Sequence, residues 1–422
     1  MSAIQINPRK LMGTLQVPPS KSMAHRAIIC ASLAQGQSKI TNIVMSKDIE
    51  ATINAMKALG ALIKQEGSTL IIDGSLTLGL SRAEIDCEES GSTLRFMIPV
   101  SLVNPNRVHF TGKGKLGQRP LDIYYSIFDE QKIIYLYKKD ILDLYINGQM
   151  HAGEFSIPGN VSSQFISGLL FALPLMEGDS KIHITTPLES KGYIDLTLQM
   201  LETFGIEIEN NNYEVFTIKG MQTYRPHDYQ VEADFSQAAF FLVADVLGSK
   251  VVLEGLNLSS AQGDKEVISY LEQMGAKLIA QDQGYLMEAT QLQGITIDAS
   301  QCPDIIPVLA VACAMAKGTS HIINAKRLRI KECDRLKATV EVLKAAGIEA
   351  IEKEEEMIIT GSDHFEGADL QSYNDHRMAM MEAIMATRAS GKIQIDSKEC
   401  VKKSYPNFFE DYALLKGDYH EC

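Results

Sequence analysis

Apolar residues along this chain recur in one arrangement. They fall three or four apart over about three turns, stop at a glycine, then alternate through two short runs. "ATINAMKALGALIKQEGSTLIIDG" does so around Gly60, "LTLQMLETFGIEIENNNYEVFTIKG" around Gly205, "EVISYLEQMGAKLIAQDQGYLMEA" around Gly275 and "ATVEVLKAAGIEAIEKEEEMIITG" around Gly347. The first period predicts an amphipathic helix, the glycine its left-handed closure, and the alternation a β-hairpin. "IYYSIFDEQKIIYLYKKDILDLYING" repeats the order with Gln131 in the glycine's place. That copy, lacking the glycine, is expected to be the most altered. Copies roughly seventy residues apart are too widely spaced for a solenoid. They leave room for another strand and helix, predicting an α/β protein of β-α-β-α-β-β units. Five copies are visible, and a sixth can be assembled from the two chain ends.

A second class of helix is apolar nearly throughout but polar at its start. In "VPPSKSMAHRAIICASLAQG", Lys21, Ser22, His25 and Arg26 follow two prolines. Cations suit the last turn of a helix rather than the first, so a bound anion would account for them. "EESGSTLRFMIPV" opens on Gly91, Ser92 and Thr93, and "PGNVSSQFISGLLFALPL" on Ser162, Ser163 and Gln164. "YNDHRMAMMEAIMA" opens on Asn374, Asp375, His376 and Arg377. Capping explains the Ser, Thr, Asn and Asp residues. It does not explain Arg26 or Arg377, whose forked guanidinium suits a carboxylate or phosphate beside a helix start. Arg95, deeper in its helix, reads as structural.

Two further stretches add charge. "GKGKLGQRP" carries Lys113, Lys115 and Arg119 but lacks the ending of a P-loop. "AKRLRIKECDRLKA", read as a helix, places Lys331 and Arg335 on one face. Lys402 and Lys403 follow near the end. Among these cations stand Glu332 and Asp304. Asp304 taken alone reads as the cap of an apolar helix. A module that only binds anions gains nothing from carboxylates there, whereas an enzyme moving protons does.

Composition narrows this picture. The 422 residues suffice for two to four domains. A net charge of −13 argues against a broad nucleic-acid or anionic-membrane surface, so the anion site must be local. Seven cysteines, odd in number and without CxxC spacing, fit a reducing compartment and no zinc site. The longest apolar runs fall short of a membrane span, and the first residues lack a signal-peptide core. A cytoplasmic protein is expected.

In order, "PPSKSMAHRAI", "ESGSTLRF", "GQRP", "GNVSSQF", "ESKGYID", "IKECDRL", "YNDHRMAM" and "KKSYPNFF" span nearly the whole chain. Together they resemble the 5-enolpyruvylshikimate-3-phosphate (EPSP) synthase family of enolpyruvyl transferases. The resemblance implies two domains of three β-α-β-α-β-β units each, 1–18 plus 234–422 and 19–233, with helix N-termini facing an interdomain cleft that closes on the substrates. It implies that phosphoenolpyruvate and shikimate 3-phosphate give EPSP and phosphate, with no metal or organic cofactor. Lys21, Ser22, Arg26, Ser162, Ser163, Gln164, Ser190, Tyr193, Asp304 and Lys331 are then expected at shikimate 3-phosphate. Lys21, Gly91, Arg119, Gln164, Arg335, Arg377 and Lys403 are expected at phosphoenolpyruvate. Asp304, Glu332 and Lys21 are the expected catalytic groups, with Asp304 as base at the 5-hydroxyl and Glu332 as proton carrier to carbon 3.

The expected partners are these two small molecules, with no nucleic acid, no membrane and a monomeric chain. Glyphosate is expected to occupy the phosphoenolpyruvate site. This chain departs from the family pattern at Glu89-Ser90, where many members have asparagine before Ala-Gly, and at Arg327, where asparagine often contacts shikimate 3-phosphate. Two rivals are a UDP-N-acetylglucosamine enolpyruvyl transferase, whose cysteine the "GKGKLGQRP" loop lacks, and a non-catalytic phosphosugar-binding protein, which would not need Asp304 and Glu332.

Overall fold

The computed structural model describes residues 3–422. They form two compact units, one built from the residues up to Ser20 together with Glu232–Cys422, the other from Lys21–Val231. Within the first unit the outgoing and returning strands lie side by side. Pro19 bridges Ala233, Ser20 donates its N–H to Glu232 O (2.7 Å), and Asp234 donates to Pro18 O (2.9 Å).

The hydrophobic repeat becomes a repeated sheet. Among the described residues there are six four-stranded sheets, three in each unit. Each contains one parallel pair and two antiparallel ladders. Glu154–Ile157 and Ser180–Ile184, for example, pair in parallel and are connected through the Ser163–Ala172 helix, and Val215–Ile218 and Ile208–Asn211 add the hairpin. The sheet at the chain ends also forms: Ile4–Asn7 pairs with both Ile393–Ile395 and Asp418–Glu421.

Gly60, Gly205, Gly275 and Gly347 follow their helices at positive φ (109°, 81°, 100° and 80°). In the fifth copy the left-handed residue is Lys132 (φ 58°), one place later than the Gln131 position read from the sequence. A lysine tolerates that conformation at a cost of roughly 1 kcal/mol or more.

In each unit three helices make the centre. Every residue of Phe235–Val246, Ile306–Ala314 and His376–Met385 is buried, as is nearly every residue of Lys21–Leu33, Gly91–Ser101 and Ser163–Ala172. That is why their sequences are mostly apolar past the first turn, with no face left for water, although Asp245 and Glu382 are buried among them. Each Leu, Ile, Val or Phe so enclosed contributes about 1.5–3 kcal/mol. The amphipathic helices, such as Lys191–Thr203 and Arg335–Ala345, cover them with one face. No described helix is long and apolar enough to cross a membrane.

Candidate active site

Because the central helices are dry along their lengths, polar side chains concentrate at their starts. In the Lys21–Val231 unit, Lys21 opens its helix and its Nζ lies 2.7 Å from Asp48 Oδ2, with Asp48 buried. Arg26 is buried one turn on. It donates Nε to Thr197 Oγ1 (2.9 Å), Nη1 to Ser22 O (2.7 Å) and Nη2 to Tyr193 O (2.9 Å), and lies over the Phe96 ring. Two of its five N–H donors thus fix the backbone at Ser22 and Tyr193, and a third holds the Thr197 hydroxyl. Tyr193 in turn donates its N–H to Ser190 O, and Ser190 is buried in a left-handed conformation (φ 56°). The structure therefore groups Ser22, Arg26, Ser190 and Tyr193.

His25, first read with the cationic cluster, is different. Burial, reinforced by Lys21, lowers it to about 3, so its ring is neutral. Its Nδ1 pairs with Thr52 Oγ1, which pairs with Thr93 Oγ1, each at 2.7 Å. Those bonds tie Lys21–Leu33 to Lys47–Ala58 and Gly91–Ser101, and His25 is part of the framework.

A second group forms around Gly91. Ser90 caps its helix, the Oγ accepting from Thr93 N (3.1 Å). A Cβ at Gly91 would fall 2.6 Å from Arg119 Nη1 and 3.1 Å from Arg95 Nη1, so the missing side chain is what admits both guanidinia. Arg95, expected to be structural, donates to Gln164 Oε1 (2.8 Å) and Pro120 O (3.2 Å), while Gln164 Nε2 donates to Ser92 Oγ (2.9 Å). Arg95 therefore aims one expected site residue, Gln164, and braces the loop that carries another, Arg119. Ser162 caps its helix through Gln164 N (3.3 Å), and Ser163 is buried beside it. Glu89, one of the departures, lies against Gly114 of the glycine-rich loop.

In the other unit one carboxylate gathers three cations. Asp304 Oδ1 accepts from Lys331 Nζ (3.0 Å) and Arg335 Nη1 (3.1 Å), and Oδ2 faces Arg377 Nη2 at 3.6 Å. Burial opposes its charge, but Lys331, Arg377 and Arg335 outweigh that and hold its carboxyl well below the usual range. It is not the expected cap, because the adjoining helix begins at Ile306 without a side-chain cap. Nor do Lys331 and Arg335 share a helical face. Lys326–Ile330 is a 3₁₀ turn, Lys331 is extended, and a new helix begins at Arg335, so the break rather than the period brings both to Asp304. Burial lowers Lys331, with Asp304 opposing, and the buried Arg327 beside it adds to the lowering.

Arg335 also donates Nη2 to Glu332 Oε2 (2.8 Å) and grips Asp375 with Nε (2.7 Å) and Nη2 (3.1 Å). Asp375 caps the next helix through Arg377 N (2.8 Å). Lys403 Nζ lies 3.9 Å from Glu332 Oε1. Arg377 is buried, its Nη1 donating to Ser236 O (3.0 Å). Asp304, Glu332, Lys331, Arg335, Arg377 and Lys403 are thus brought together. Its four cations outnumber the carboxylates of Asp304, Glu332 and Asp375 by one, so the cluster stays net positive, and an arriving anion must still displace carboxylates already on the cations.

Sequence reading missed the partners: Asp48, Arg95 as an aiming group, Asp264 beside Ser236, and Asp375 as the clamp on Arg335 rather than only a cap. The repeat itself carried a signal for two of them, since Asp48 and Asp264 stand twelve and eleven residues ahead of Gly60 and Gly275.

The model of the family "EPSP synthase (3-phosphoshikimate 1-carboxyvinyltransferase)" matches residues 6–412. A 3-phosphoshikimate 1-carboxyvinyltransferase of Clostridium perfringens (strain 13 / Type A) is 55% identical over 419 residues, covering 99% of each chain. One from Clostridium botulinum (strain Alaska E43 / Type E3) is 54% identical over 429 residues, covering 100% of this chain and 99% of its own. The solved EPSP synthase of Acinetobacter baumannii superposes with a TM-score of 0.83 at 27% identity, covering 100% of both chains. The enolpyruvyl transferase NikO of Streptomyces tendae, at 17% identity and TM-score 0.81, covers 100% of this chain and 99% of its own and shares the fold.

Proposed function

The chain belongs to the EPSP synthase family, and on that premise we propose how its two groups of residues divide the family's reaction. The reaction is transfer of the enolpyruvyl group of phosphoenolpyruvate to the 5-hydroxyl of shikimate 3-phosphate, releasing phosphate, in the shikimate pathway. The UDP-sugar and non-catalytic readings are not favoured.

Protonation of carbon 3 of phosphoenolpyruvate makes carbon 2 electrophilic, the hydroxyl attacks it, and the tetrahedral ketal phosphate then loses phosphate from carbon 2 and a proton from the carbon 3 methyl, which restores the double bond. Glu332 gives the proton to carbon 3, and Asp304 takes the proton of the hydroxyl. The observation that carries these roles is the salt-bridged cluster: a carboxylate shared among Lys331, Arg335 and Arg377 is a weak base until something removes those cations. Phosphoenolpyruvate does so by binding Arg335 and Arg377, and shikimate 3-phosphate by drawing Lys331 onto its hydroxyls. Asp304 becomes basic only when both substrates are in place, which couples proton transfer to binding.

Lys21, Ser22, Arg26, Ser162, Ser163, Ser190 and Tyr193 hold shikimate 3-phosphate, with Lys331 and Asp304 on its hydroxyls. Gly91 and Arg119 face phosphoenolpyruvate, and Gln164 and Lys21 reach both substrates. This reading requires both units to reach one pair of substrates. Its supports are the fixed geometry within each unit and the supply of preorganised cations for dianionic ligands. The chain acts as a cytoplasmic monomer without nucleic-acid or membrane partners, a reading supported by its acidity.

The test is phosphate release. It is expected only when phosphoenolpyruvate and shikimate 3-phosphate are both present, with no effect of a chelator. Turnover with UDP-N-acetylglucosamine in place of shikimate 3-phosphate would reverse the assignment.

Gly91 gives a second expected result. In Gly91→Ala the methyl must push Arg119 aside, at about 1–3 kcal/mol of lost complementarity. Glyphosate, longer than phosphoenolpyruvate, should lose more than the substrate. Its inhibition constant is expected to rise by more than the accompanying rise in KM for phosphoenolpyruvate. Unchanged values for both would show that Arg119 is not held against this glycine in solution.

A further inference from the structure

The two units share a helix–strand–helix order. Lys21–Leu33, Gln37–Thr41 and Lys47–Ala58 in one correspond to Phe235–Val246, Lys250–Glu254 and Glu266–Gln273 in the other. In the first, Asp48 at the start of the second helix reaches back to Lys21 in the first turn of the first helix. In the second, Asp264 holds the matching place. It lies in the 3₁₀ turn Gly263–Lys265, is buried, and its Oδ2 accepts the hydroxyl of Ser236 in the first turn of Phe235–Val246. Ser236 O is the acceptor for Arg377 Nη1 (3.0 Å). One chain of bonds therefore runs from Asp264 through Ser236 to a cation of the Asp304 cluster.

We propose that Asp264 is a positioning residue for phosphoenolpyruvate: through Ser236 it fixes the direction of Arg377, as Asp48 fixes Lys21 in the other unit. The inference rests on the assignment of phosphoenolpyruvate to Arg377 given above.

Asp264 faces Asp234 and Ser236 from the start of Phe235–Val246, Asp304 and Cys302 from the segment before Ile306–Ala314, and Arg377 from His376–Met385. Burial, with Asp304 and Asp234 adding to it, raises its carboxyl to about 6 against the pull of Arg377 and Ser236. Above that pH it is a charged acceptor; below it, a neutral one. An anion bound on Arg377 disfavours the charged form. By linkage, phosphoenolpyruvate binds the neutral form better, and the wild-type KM carries a component that falls as pH drops through about 6.

Three variants, Asp264→Ala, Asp264→Asn and Ser236→Ala, are assayed beside the wild type from pH 5 to 8, with KM for each substrate, kcat and thermal midpoint recorded. Asp264→Ala is expected to raise KM for phosphoenolpyruvate about tenfold, the scale of one lost hydrogen bond in such a network. KM for shikimate 3-phosphate and kcat should change little. Ser236→Ala removes the hydroxyl that Asp264 holds and should raise the same KM in the same direction, independently of how well Asp264→Ala folds. Asp264→Asn keeps an acceptor for Ser236. It should match the wild type at pH 5 and lack the wild-type component near pH 6, the shared titration of phosphoenolpyruvate cancelling in the ratio.

A purely structural role would lower the thermal midpoint of all three and leave KM and its pH profile alone. That result, or Asn and Ala variants impaired alike at pH 5, overturns the inference. A wild type that fails to turn over this substrate pair overturns the assignment of function instead.

Discussion

Asp304→Asn is expected to lower kcat by about two orders of magnitude or more, the scale of a general acid–base step, without raising KM for phosphoenolpyruvate. The side chain keeps its shape and one acceptor oxygen, so Lys331 and Arg335 retain a partner. It loses its charge, and with it the capacity to take the proton of the 5-hydroxyl. The cluster is left more cationic, so anionic substrates should bind as well as before or better. Glu332→Gln should behave in the same way, since Arg335 Nη2 and Lys403 lose a charge but not a neighbour. Steady-state kinetics with both substrates varied separates the roles. A fall confined to kcat and kcat/KM marks a group that acts in the transition state, whereas a rise in KM at constant kcat would make either residue a binding group only.

The second large effect concerns stability. Arg335 is among the largest fully buried side chains of the described residues, and Asp375, wholly buried, takes two of its hydrogen bonds. Asp375→Ala leaves a buried guanidinium short of its main partner and strips the cap from the His376–Met385 helix. The first loss costs about 3–5 kcal/mol and the second about 1 kcal/mol. Chemical denaturation should show a large drop in midpoint. The pair Arg335→Met with Asp375→Leu should recover much of that stability, because apolar replacement removes the orphan charge together with its partner. It should remain inactive. A single variant as stable as the wild type would mean that Arg335 finds another anion or water.

These two sites mark where the sequence was legible. The repeat was plain because a buried helix and an amphipathic one differ in period and the closing glycines are forced by backbone geometry, Gly205 and Gly347 among them. The sheet at the chain ends could be foreseen for the same reason. The residue that closes the fifth helix could not, since Lys132 takes a conformation its side chain disfavours. Single positions at helix starts, such as Ser162 and Asp375, were visible as caps because capping is local. What joins them was not. The grip of Asp375 on Arg335, of Arg95 on Gln164 and of Asp48 on Lys21 spans 27 to 69 residues of chain. No periodicity reports a contact across such a distance. The stretch around Lys331 misled for a related reason: its charges fit a helix, and only the tertiary pull of Asp304 breaks it.

The strand Ile4–Asn7 lies between Ile393–Ile395 and Asp418–Glu421, and this has a consequence for how the chain is made. During synthesis the Lys21–Val231 unit is one unbroken segment and can fold as soon as it has left the ribosome. The unit that begins first cannot. Its first strand, Ile4–Asn7, must wait for partners translated nearly four hundred residues later, and Met12–Gln16 for Lys250–Glu254; a strand with an unpaired edge is adhesive while it waits. The early residues are therefore an aggregation hazard for most of translation, and the last step of folding is the closing of a sheet between the beginning of the chain and its end. Pulse-labelling of amide hydrogens during refolding should find Gln5 and Ile6 among the last groups protected, long after the core of the inserted unit.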